Sequence, residues 1–322
     1  MFELTIRENE ADQRLDKVLR KYLRNAPESF LYKMLRKRNI TLNGGKSAGN
    51  ERLKKGDKVQ FYFSQETFDK MRGSAAPIKT ETSASQKAPK IKVLYEDSDV
   101  LLFVKPVGML SQKAEPTDYS ANDWVLSYAV SRGIISDSEF ETFRPSVCNR
   151  LDRNTGGIMA AGLSYQGLKY LSELFRERTL EKYYYALVLG KPEDHADISG
   201  YLVKNRNTNK VMVTDRSDIP GAEKIHTEYE LLKYDEEKQI SLLKVHLYTG
   251  KSHQIRAHLA SIGHPILGDP KYGNPTYNLY YHKNKQCLLS YHLSFPECAL
   301  KGVSGKTFEI PVPKNWPVRL EE

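Results

Sequence analysis

A carboxylate flanked by two arginines is the feature of this sequence that best suits catalysis. Asp152 lies between Arg150 and Arg153, and Gly156 and Gly157 follow it before an apolar run. The glycines indicate a turn that leads into a buried strand. Neighbouring cations favour the ionised carboxylate, which a nucleophile or a base acting without a metal requires. A structural aspartate salt-bridged in a turn would give the same pattern, so the residues alone leave both alternatives open.

Other groups of reactive residues do not complete a familiar site. Residues 249–252 (TGKS) end like a phosphate-binding loop, but Val245 stands where that motif needs a glycine. His253 and His258 are five residues apart, so on a helix they do not share the face that a metal pair requires. We interpret them as hydrogen-bonded or surface histidines. These groups therefore indicate neither a metal site nor a phosphate-binding loop.

The elements that must position Asp152 belong to a chain whose charge is unevenly distributed. The 322 residues carry a formal net charge of +9. Residues 1–65 hold 15 basic and 8 acidic side chains, residues 66–90 hold 5 and 3, and residues 91–322 hold 29 of each. A basic block beside a neutral body predicts a docking module for a polyanion and a separate working part. Surface lysines that only keep the chain soluble would give the same count.

The composition argues against the membrane and secreted classes. The apolar stretch at residues 100–104 is far shorter than the ~20 residues that span a membrane. The first ten residues (MFELTIRENE) lack the order of basic and apolar residues typical of a secretory signal. Three cysteines do not make a disulfide framework and fit a reducing compartment. We therefore expect a soluble cytoplasmic protein, and we expect it to be a monomer.

The basic block has the pattern of a small α+β domain. Apolar residues at helical spacing predict a helix over residues 13–24 and a second helix, capped by Ser29, over residues 30–38. Asn43-Gly44 predicts a hairpin turn after a short strand. Residues 1–65 are thus predicted to form one domain. Residues 66–90 lack hydrophobic periodicity and are predicted to form a flexible linker.

This order of elements resembles the alpha-L RNA-binding motif, whose second helix lies against RNA phosphates. The resemblance implies that the cations of the second helix contact RNA, and these are Lys33, Arg36, Lys37 and Arg38. An ordinary solvated helix face is the alternative that the four charges leave open.

Residues 91–322 predict a second α+β domain. Strands dominate, adjacent strands often read as hairpins, and helices occur singly. Two of these helices are predicted at residues 165–178 and at residues 251–263, the latter capped by Ser252 and closed by Gly263. This order favours a mixed, mainly antiparallel sheet over a doubly wound parallel one.

Residues 149–157 (NRLDRNTGG) resemble the signature of the RluA-type pseudouridine synthases, usually His-Arg-Leu-Asp-Arg-Asp-Thr-Ser-Gly. Four further blocks match that family in the right order: residues 93–110, with a Lys-Pro-x-Gly turn, residues 181–190 (EKYYYALVLG), residues 248–273 and residues 287–298. Asn149, Asn154 and Gly156 depart from the usual residues. They leave the Arg-Leu-Asp-Arg core intact, so their expected effect is confined to the way the loop meets RNA.

The resemblance implies a role for each matching residue. Asp152 would be the catalytic carboxylate, which either attacks C1′ of the target uridine or removes the proton at C2′, and the sequence does not separate these routes. Tyr184 would stack on the uracil, and Arg256 would pair with Asp152. Leu259 would form an apolar wall, although a place in the core fits it equally. The uridine must leave the helix stack, and Arg150 would enter the vacated space.

We therefore predict an RNA pseudouridine synthase that acts on large-subunit ribosomal RNA. It would need no cofactor, because the bond broken and the bond made lie within one nucleotide. A transfer RNA pseudouridine synthase is the alternative within this enzyme class. A catalytically idle RNA-binding or ribosome-assembly factor is the alternative from another class, but such a protein has no chemical reason to keep Asp152, Tyr184 and Arg256 together.

Overall fold

The computed structural model of the protein describes residues 1–73, 89–136, 139–205 and 210–320. The chain divides into two units. Unit 1 comprises Met1–Pro89, Trp124–Ser146 and Gly162–Lys169, and unit 2 comprises Lys90–Asp123, Val147–Ala161 and Tyr170–Glu322. Within the described ranges, no helix is long and apolar enough to cross a membrane.

The helices and strands are numbered in chain order. They are β1 (Phe2–Thr5), α1 (Leu15–Tyr22), α2 (Glu28–Arg36), β2 (Ile40–Leu42), β3 (Lys58–Phe61), α3 (Gln65–Arg72), β4 (Lys92–Glu96), β5 (Val100–Lys105), α4 (Ala121–Ser131), β6 (Ser146–Val147), β7 (Gly156–Gly162), α5 (Tyr165–Glu177), β8 (Glu181–Leu189), β9 (His195–Asn205), β10 (Lys210–Thr214), β11 (Glu223–Asp235), β12 (Ile240–Leu247), α6 (Gln254–Ser261), α7 (Pro275–Tyr280), β13 (Leu288–Ser294) and β14 (Thr307–Glu309).

Unit 1 contains the two helices and the small sheet that the first 65 residues predict. Strands β1, β3 and β2 form an antiparallel sheet in that order. The apolar stripes of α1 and α2 are buried against it with Ile40, Val59 and Phe61. The turn at Asn43-Gly44 is present, with positive φ at both residues and a hydrogen bond from Gly45 N–H to Leu42 O of 2.9 Å. The basic residues Lys33, Arg36, Lys37 and Arg38 are all exposed.

The predicted cap of α2 is wrong. The helix begins at Glu28, and Pro27 precedes it with an extended backbone and no side-chain cap. The Pro27 carbonyl accepts hydrogen bonds from the N–H groups of Phe30 and Leu31, and proline has no N–H that would need a partner at a helix start. Ser29 therefore lies inside the first turn rather than before it.

The structure differs from the predicted linker at its beginning, where α3 forms. The Ser64 hydroxyl accepts a hydrogen bond from Thr67 N–H at 3.3 Å, which caps this helix. Phe68 is buried and stacks on Phe2 with 3.9 Å between ring centroids. One buried aromatic side chain stabilises a helix too short and polar to show periodicity in the sequence. The rest of the predicted linker up to residue 88, apart from Gly73, lies outside the described residues.

Unit 1 also includes two segments that come later in the chain. Arg72 forms an ion pair with Glu141 (3.0 Å between Nη2 and Oε2), and Asp12 forms one with Lys169 (2.7 Å between Oδ2 and Nζ). Glu10 accepts a short hydrogen bond from the Thr142 hydroxyl. Residues 1–65 therefore share their unit with residues that the sequence assigns to the second domain.

Unit 2 is built on an eleven-stranded sheet, which confirms the predicted α+β class with a mixed, mainly antiparallel sheet. The strand order is β10-β9-β11-β12-β8-β13-β7-β5-β4, with β14 beside β13 and β6 beside β7. Strands β8 to β13 are joined by antiparallel registers, as are β4 and β5, whereas β13 runs parallel to β7. The centre of this sheet brings β7, which follows Asp152, close to β8, which carries Tyr184.

Candidate active site

The loop that carries Asp152 is fixed through its backbone. The hydroxyl of Ser111 accepts a hydrogen bond from Leu151 N–H at 2.9 Å and donates one to Leu151 O at 2.7 Å. Two residues later, Arg153 O accepts hydrogen bonds from Gly108 N–H at 2.8 Å and from Lys105 Nζ at 3.2 Å. Both neighbours of Asp152 are held in this way, so the backbone fixes the direction in which the Asp152 side chain points.

Lys105, the lysine of the Lys-Pro-x-Gly turn, is a fully buried cation behind this loop. Its Nζ donates to three carbonyl oxygens, those of Met109 at 2.7 Å and of Pro106 and Arg153 at 3.2 Å. Burial lowers the pKa of Lys105 to about 7, while the charge of Asp152 opposes that shift. The three carbonyl groups match the three N–H donors of an ammonium group and compensate for its loss of water.

Asn149 and Gly156, two residues that depart from the usual signature, lie beside the loop that carries Asp152. The Asn149 side chain accepts a hydrogen bond from Ala160 N–H at 2.9 Å and donates to Ile158 O, so it pairs with the edge of β7. A Cβ on Gly156 would meet the Val107 side chain at 3.0 Å, which is tight but involves a methyl group that can move. Neither departure from the family signature displaces Asp152.

Arg256 joins Asp152 to a second, deeper carboxylate. Its Nη1 lies 2.7 Å from Asp152 Oδ2, and its Nε and Nη2 lie 2.6 and 2.8 Å from the two oxygens of Asp269. The side chains of Arg256 and Asp269 are 5% and 0% exposed, whereas that of Asp152 is 27% exposed. The expected ion pair between Arg256 and Asp152 is therefore present, and Asp269 fixes the guanidinium group that makes it.

The pKa directions agree with this arrangement. Burial acts to lower the pKa of Arg256, but its hydrogen bonds and ion pairs with Asp269 and Asp152 outweigh that effect and raise it. Burial acts to raise the pKa of Asp269, but the Arg256 bonds and the N–H groups of Lys271 and Tyr272 outweigh it and lower the pKa. Arg256 and Asp269 are therefore both charged at neutral pH.

Tyr184 lies on β8, on the opposite face from its neighbours Tyr183 and Tyr185. It is buried beside Asp152, and burial raises the pKa of its phenol to about 12, with a further increase from the charge of Asp152 and an opposing hydrogen bond with Ser290. Its neighbour Tyr183 stacks instead on His246, with 4.4 Å between ring centroids. Tyr184 therefore keeps its proton at neutral pH and presents a neutral ring to the site.

Asp152 and Tyr184 line a cavity of about 410 Å³. Its apolar wall includes Leu151, Phe175, Leu247, Ile255 and Leu288, and its cations are Arg150, Arg176, Arg178, Lys182, Lys251 and Arg256. This volume falls within the range of pockets that bind small molecules. We call it the uridine cavity, after the ligand that the resemblance of the sequence implies.

Leu259 is not among the residues that line the uridine cavity, and a place in the core is the alternative that the sequence left open for it. It is fully buried in the core. The cavity meets only the first turn of α6, through Gln254, Ile255 and Arg256. Leu259 lies three residues beyond Arg256, about 4.5 Å further along the helix axis. Ile255 supplies the apolar contact that was expected of Leu259.

Asp152 also lines a second cavity, of about 910 Å³. It shares Arg150, Asp152, Lys251, His253 and Arg256 with the uridine cavity. Its further cations are Lys113, Arg153, Lys204 and Lys271, and Asp152 is the sole acid among the described residues that line it. We call it the basic cavity, and a phosphodiester chain is the kind of ligand that this charge favours.

His253 lies in the site, although from the sequence we interpreted it only as a hydrogen-bonded or surface histidine. It precedes α6 with a left-handed backbone (φ 58°), so the predicted Ser252 cap is wrong and no side chain caps this helix. Its Nε2 lies 4.0 Å from Asp152 Oδ2, and its Nδ1 lies 3.0 Å from Tyr272 Oη. Its position three residues before Arg256 could have indicated that it lies in the site. Its hydrogen-bond partner Tyr272, however, is 19 residues away in the chain.

The hydrogen bonds around Tyr272 bear on which ring nitrogen of His253 carries the proton. Tyr272 Oη accepts a hydrogen bond from Val211 N–H at 2.8 Å, and burial raises the pKa of this phenol. Within the described ranges His253 Nδ1 is the one acceptor for its hydroxyl proton. Burial also lowers the pKa of His253, with Asp152 opposing and Arg256 adding to the shift. The imidazole is therefore neutral, and this pattern favours the tautomer in which Nδ1 accepts and the proton lies on Nε2, towards Asp152.

The histidines and acids around the site do not form a metal centre in the part of the chain that the structure covers. There, no three His, Cys, Asp or Glu side chains form a group that could hold a metal ion. His258 is buried, with Nδ1 3.0 Å from the Thr227 hydroxyl, and burial lowers its pKa to about 4. It is a neutral structural side chain.

Comparison with known proteins gives the same family throughout. Residues 99–261 match the family model described as RNA pseudouridylate synthase. An uncharacterised RNA pseudouridine synthase of Mycoplasma genitalium is 30% identical, over 95% of this chain and 90% of its own length. The ribosomal large subunit pseudouridine synthase C of Vibrio cholerae is 29% identical, over 86% and 82%. The solved structure of human RNA pseudouridylate synthase domain containing 4 shares the fold, with a TM-score of 0.55, 21% identity and coverage of 69% of this chain and 88% of that one.

Asp269→Asn tests the buried pair behind Asp152. Removing one charge of a buried ion pair leaves the other uncompensated, so we expect the free energy of unfolding at pH 7 to fall by about 3 kcal/mol. Because the pKa of Asp269 is lowered from 3.8, its carboxylate stabilises the fold at neutral pH and loses that effect as the pH falls through its folded-state pKa. Urea denaturation should show the difference from wild type shrinking below about pH 4.

The matched control is Asp218→Asn, which breaks the exposed ion pair with Arg216 (2.7 Å). We expect no measurable change in stability from it, because water replaces the partner of an exposed charge. Equal destabilisation by the two variants would contradict the special position of Asp269.

Proposed function

The chain belongs to the RNA pseudouridylate synthase family, and from that membership we propose that it converts specific uridines of large-subunit ribosomal RNA to pseudouridine, with Asp152 as the catalytic carboxylate. The proposed RNA is supported by the Vibrio cholerae relative, which is named as a ribosomal large subunit pseudouridine synthase. A ribosomal substrate makes the cytoplasm the expected compartment.

The observation that carries the role of Asp152 is its position where the uridine cavity and the basic cavity meet. A uridine that has left its stack can enter the smaller, partly apolar cavity while its sugar-phosphate chain remains in the larger, cationic one. The ribose then lies at the junction, beside Asp152. Arg256 keeps the carboxylate oriented there, and Arg150, exposed at the rim of both cavities, is the residue that would enter the vacated stack.

Two chemical routes fit a carboxylate in this position. In one, an Asp152 oxygen attacks C1′ and the N1–C1′ bond breaks. In the other, Asp152 takes the proton from C2′ as that bond breaks and later returns it. In both, the uracil turns and C5 bonds to C1′, and in the first route this breaks the bond between C1′ and the Asp152 oxygen. C5 then loses its proton and N1 gains one, which gives pseudouridine. All atoms of the product come from the same nucleotide, so no cofactor or metal is required.

Neutral groups are well suited to the uracil in this reaction. Tyr184 offers a buried, protonated phenol ring against which the base can stack while it turns. His253 offers an N–H on Nε2 that points towards the junction of the cavities. When the N1–C1′ bond breaks, negative charge develops on the uracil, and a fixed N–H donor stabilises that charge in a site with little water. We assign this role to His253.

Docking of the RNA would also involve unit 1. The four cations on and after α2 are exposed, and no ion pair joins them to another residue in the described part of the chain. Other exposed cations of unit 1 do form such pairs, including Arg52, Lys55 and Lys58. Uncompensated charges of this kind supply the salt-dependent part of RNA affinity.

Asp152→Asn keeps the size of the side chain and removes both its charge and its basicity. We expect tritium release from large-subunit ribosomal RNA carrying 5-tritiated uridine to fall by at least about 10³-fold. Asn154→Asp, which restores the residue usual in the family within the same loop, should keep its activity. Wild-type release by Asp152→Asn would contradict the role of the carboxylate. Release from transfer RNA but not from ribosomal RNA by the wild type would contradict the proposed substrate.

His253→Ala should lower kcat by about 10²-fold with a smaller effect on KM, because the deleted hydrogen bond strengthens only as charge develops on the uracil. His253→Gln retains an N–H donor and should recover part of kcat. Tyr272→Phe removes the group that holds the proton on Nε2 and should cost less than His253→Ala. Tyr95→Phe, which deletes a hydroxyl bonded to Asp97 at 2.7 Å, is the control. Equal kcat for the Ala and Gln variants would contradict a donor role.

Replacing Lys33, Arg36, Lys37 and Arg38 together by Gln should raise KM for ribosomal RNA. The slope of log KM against log salt should flatten by about one unit for each phosphate that the variant no longer neutralises. A matched variant replaces Arg52, Lys54, Lys55 and Lys58, which changes the net charge equally in the same unit. If both variants flatten the slope to the same extent, α2 is not the docking face.

A further inference from the structure

The short helix α7 presents apolar side chains to solvent in an unusual concentration. Leu279 and Tyr280 are 76% and 74% exposed, and Tyr277 is exposed as well. Tyr277 and Tyr280 are three residues apart, so they lie on the same side of the helix. Single exposed apolar residues are normal on a protein surface, but three within four positions of one helix indicate a contact surface.

The backbone under these side chains is held firmly. The Asn274 side chain caps the helix by accepting hydrogen bonds from the N–H groups of Thr276 at 3.0 Å and Tyr277 at 3.3 Å. The Asn278 side chain accepts from Gly268 N–H at 2.6 Å and donates to Asp269 O at 3.1 Å. The exposed rings therefore project from a fixed support, which lowers the entropy cost of binding a partner.

The charge around α7 identifies the kind of partner. Residues 270–287 contain Lys271, Lys283 and Lys285, four tyrosines and no acidic residue. The whole body from residue 91 to 322 is neutral, so this segment is locally basic. Burial raises the pKa of Tyr281 and Asp235 adds to that shift, so one acid faces the segment at its end. Aromatic rings beside cations are typical of surfaces that bind unpaired nucleic acid, because bases stack on the rings while phosphates meet the cations.

The segment is also continuous with the basic cavity. Pro270 and Lys271 at its beginning and Gln286 at its end line that cavity, so the chain leaves the cavity, forms α7 and returns. Asn278 binds the backbone of Asp269, whose carboxylate holds Arg256 against Asp152. RNA on α7 would thus lie on the same piece of scaffold that orients the catalytic carboxylate.

We propose that α7 with Lys271, Lys283 and Lys285 is a stacking platform for unpaired bases of the substrate RNA, with Tyr280 as its central ring and Leu279 beside it. This platform rests on the proposed function for its ligand, and it extends the binding surface beyond the basic cavity, which Lys271 lines. It selects for targets whose flanking nucleotides are single-stranded, because paired bases have no free face to offer Tyr280.

Tyr280→Ala tests the platform. We expect the Kd for a fluorescein-labelled 12-nucleotide oligouridine to rise about tenfold, on the scale of one base–aromatic stack. KM for ribosomal RNA should rise by a similar factor, with a larger effect on KM than on kcat. Tyr280→Phe keeps the ring and should bind within about twofold of the wild type. Leu320→Ala, which removes an exposed apolar side chain elsewhere in unit 2, is the control for loss of apolar surface.

The charge contribution is measured with the double variant Lys283→Gln, Lys285→Gln. The salt slope of oligouridine binding should flatten by about 0.7 for each phosphate that the variant no longer neutralises. An unchanged Kd, KM and salt slope in both Tyr280→Ala and the double lysine variant would overturn the platform. A change in self-association by sedimentation without a change in RNA binding would also overturn it and would make α7 a protein interface.

The same assays separate this inference from the proposed function. If the wild type binds oligouridine and loses affinity with Tyr280→Ala, but releases no tritium from any RNA, the platform stands and the proposed activity fails. If the wild type releases tritium and Tyr280→Ala is indistinguishable from it in Kd and KM, the activity stands and the platform fails.

Discussion

The buried guanidinium group of Arg256 is the interaction on which the site depends. A buried cation is tolerated only when its charge and its N–H donors are compensated, and Asp269 provides this with two hydrogen bonds at 2.6 and 2.8 Å. That arrangement leaves Nη1 directed at Asp152, which remains partly exposed to both cavities. Asp269 therefore offsets the cost of burying the arginine, and Asp152 receives an oriented partner without being buried itself.

The backbone around Asp152 must place the carboxylate beside this fixed arginine. Several groups that are distant in the chain hold it in that position. Ser111 holds Leu151, Lys105 holds Arg153, and the side chain of Gln286 donates to the Thr155 hydroxyl at 3.1 Å. Gly157 lets β7 begin against β13, since its φ is 123° and a Cβ there would lie 2.2 Å from Ser290 O. The loop is thus shaped by the sheet around it rather than by its own sequence.

The sequence predicted the parts of the site that depend on local pattern. The resemblance of the signature peptide and of two later blocks suggested Asp152, Tyr184 and Arg256, and all three line one cavity. The caps at Ser29 and Ser252 were wrong, because capping depends on where the backbone leaves the helix and not on residue type alone. Asp269, His253 and Lys105 were not recognised as parts of the site. Their partners lie 13, 19 and 48 residues away, and only the fold brings them together.

The charge count along the chain also needs a local interpretation. Residues 91–322 have no net charge, which suggests that unit 1 must supply much of the attraction for RNA. Around the basic cavity, however, seven cations face a single acid, Asp152, among the lining residues described. Charges act over about 8–10 Å at physiological salt, so acids elsewhere on the body do not cancel this group. The unit that contains this cavity therefore carries a local excess of positive charge of its own, in addition to the exposed cations of α2.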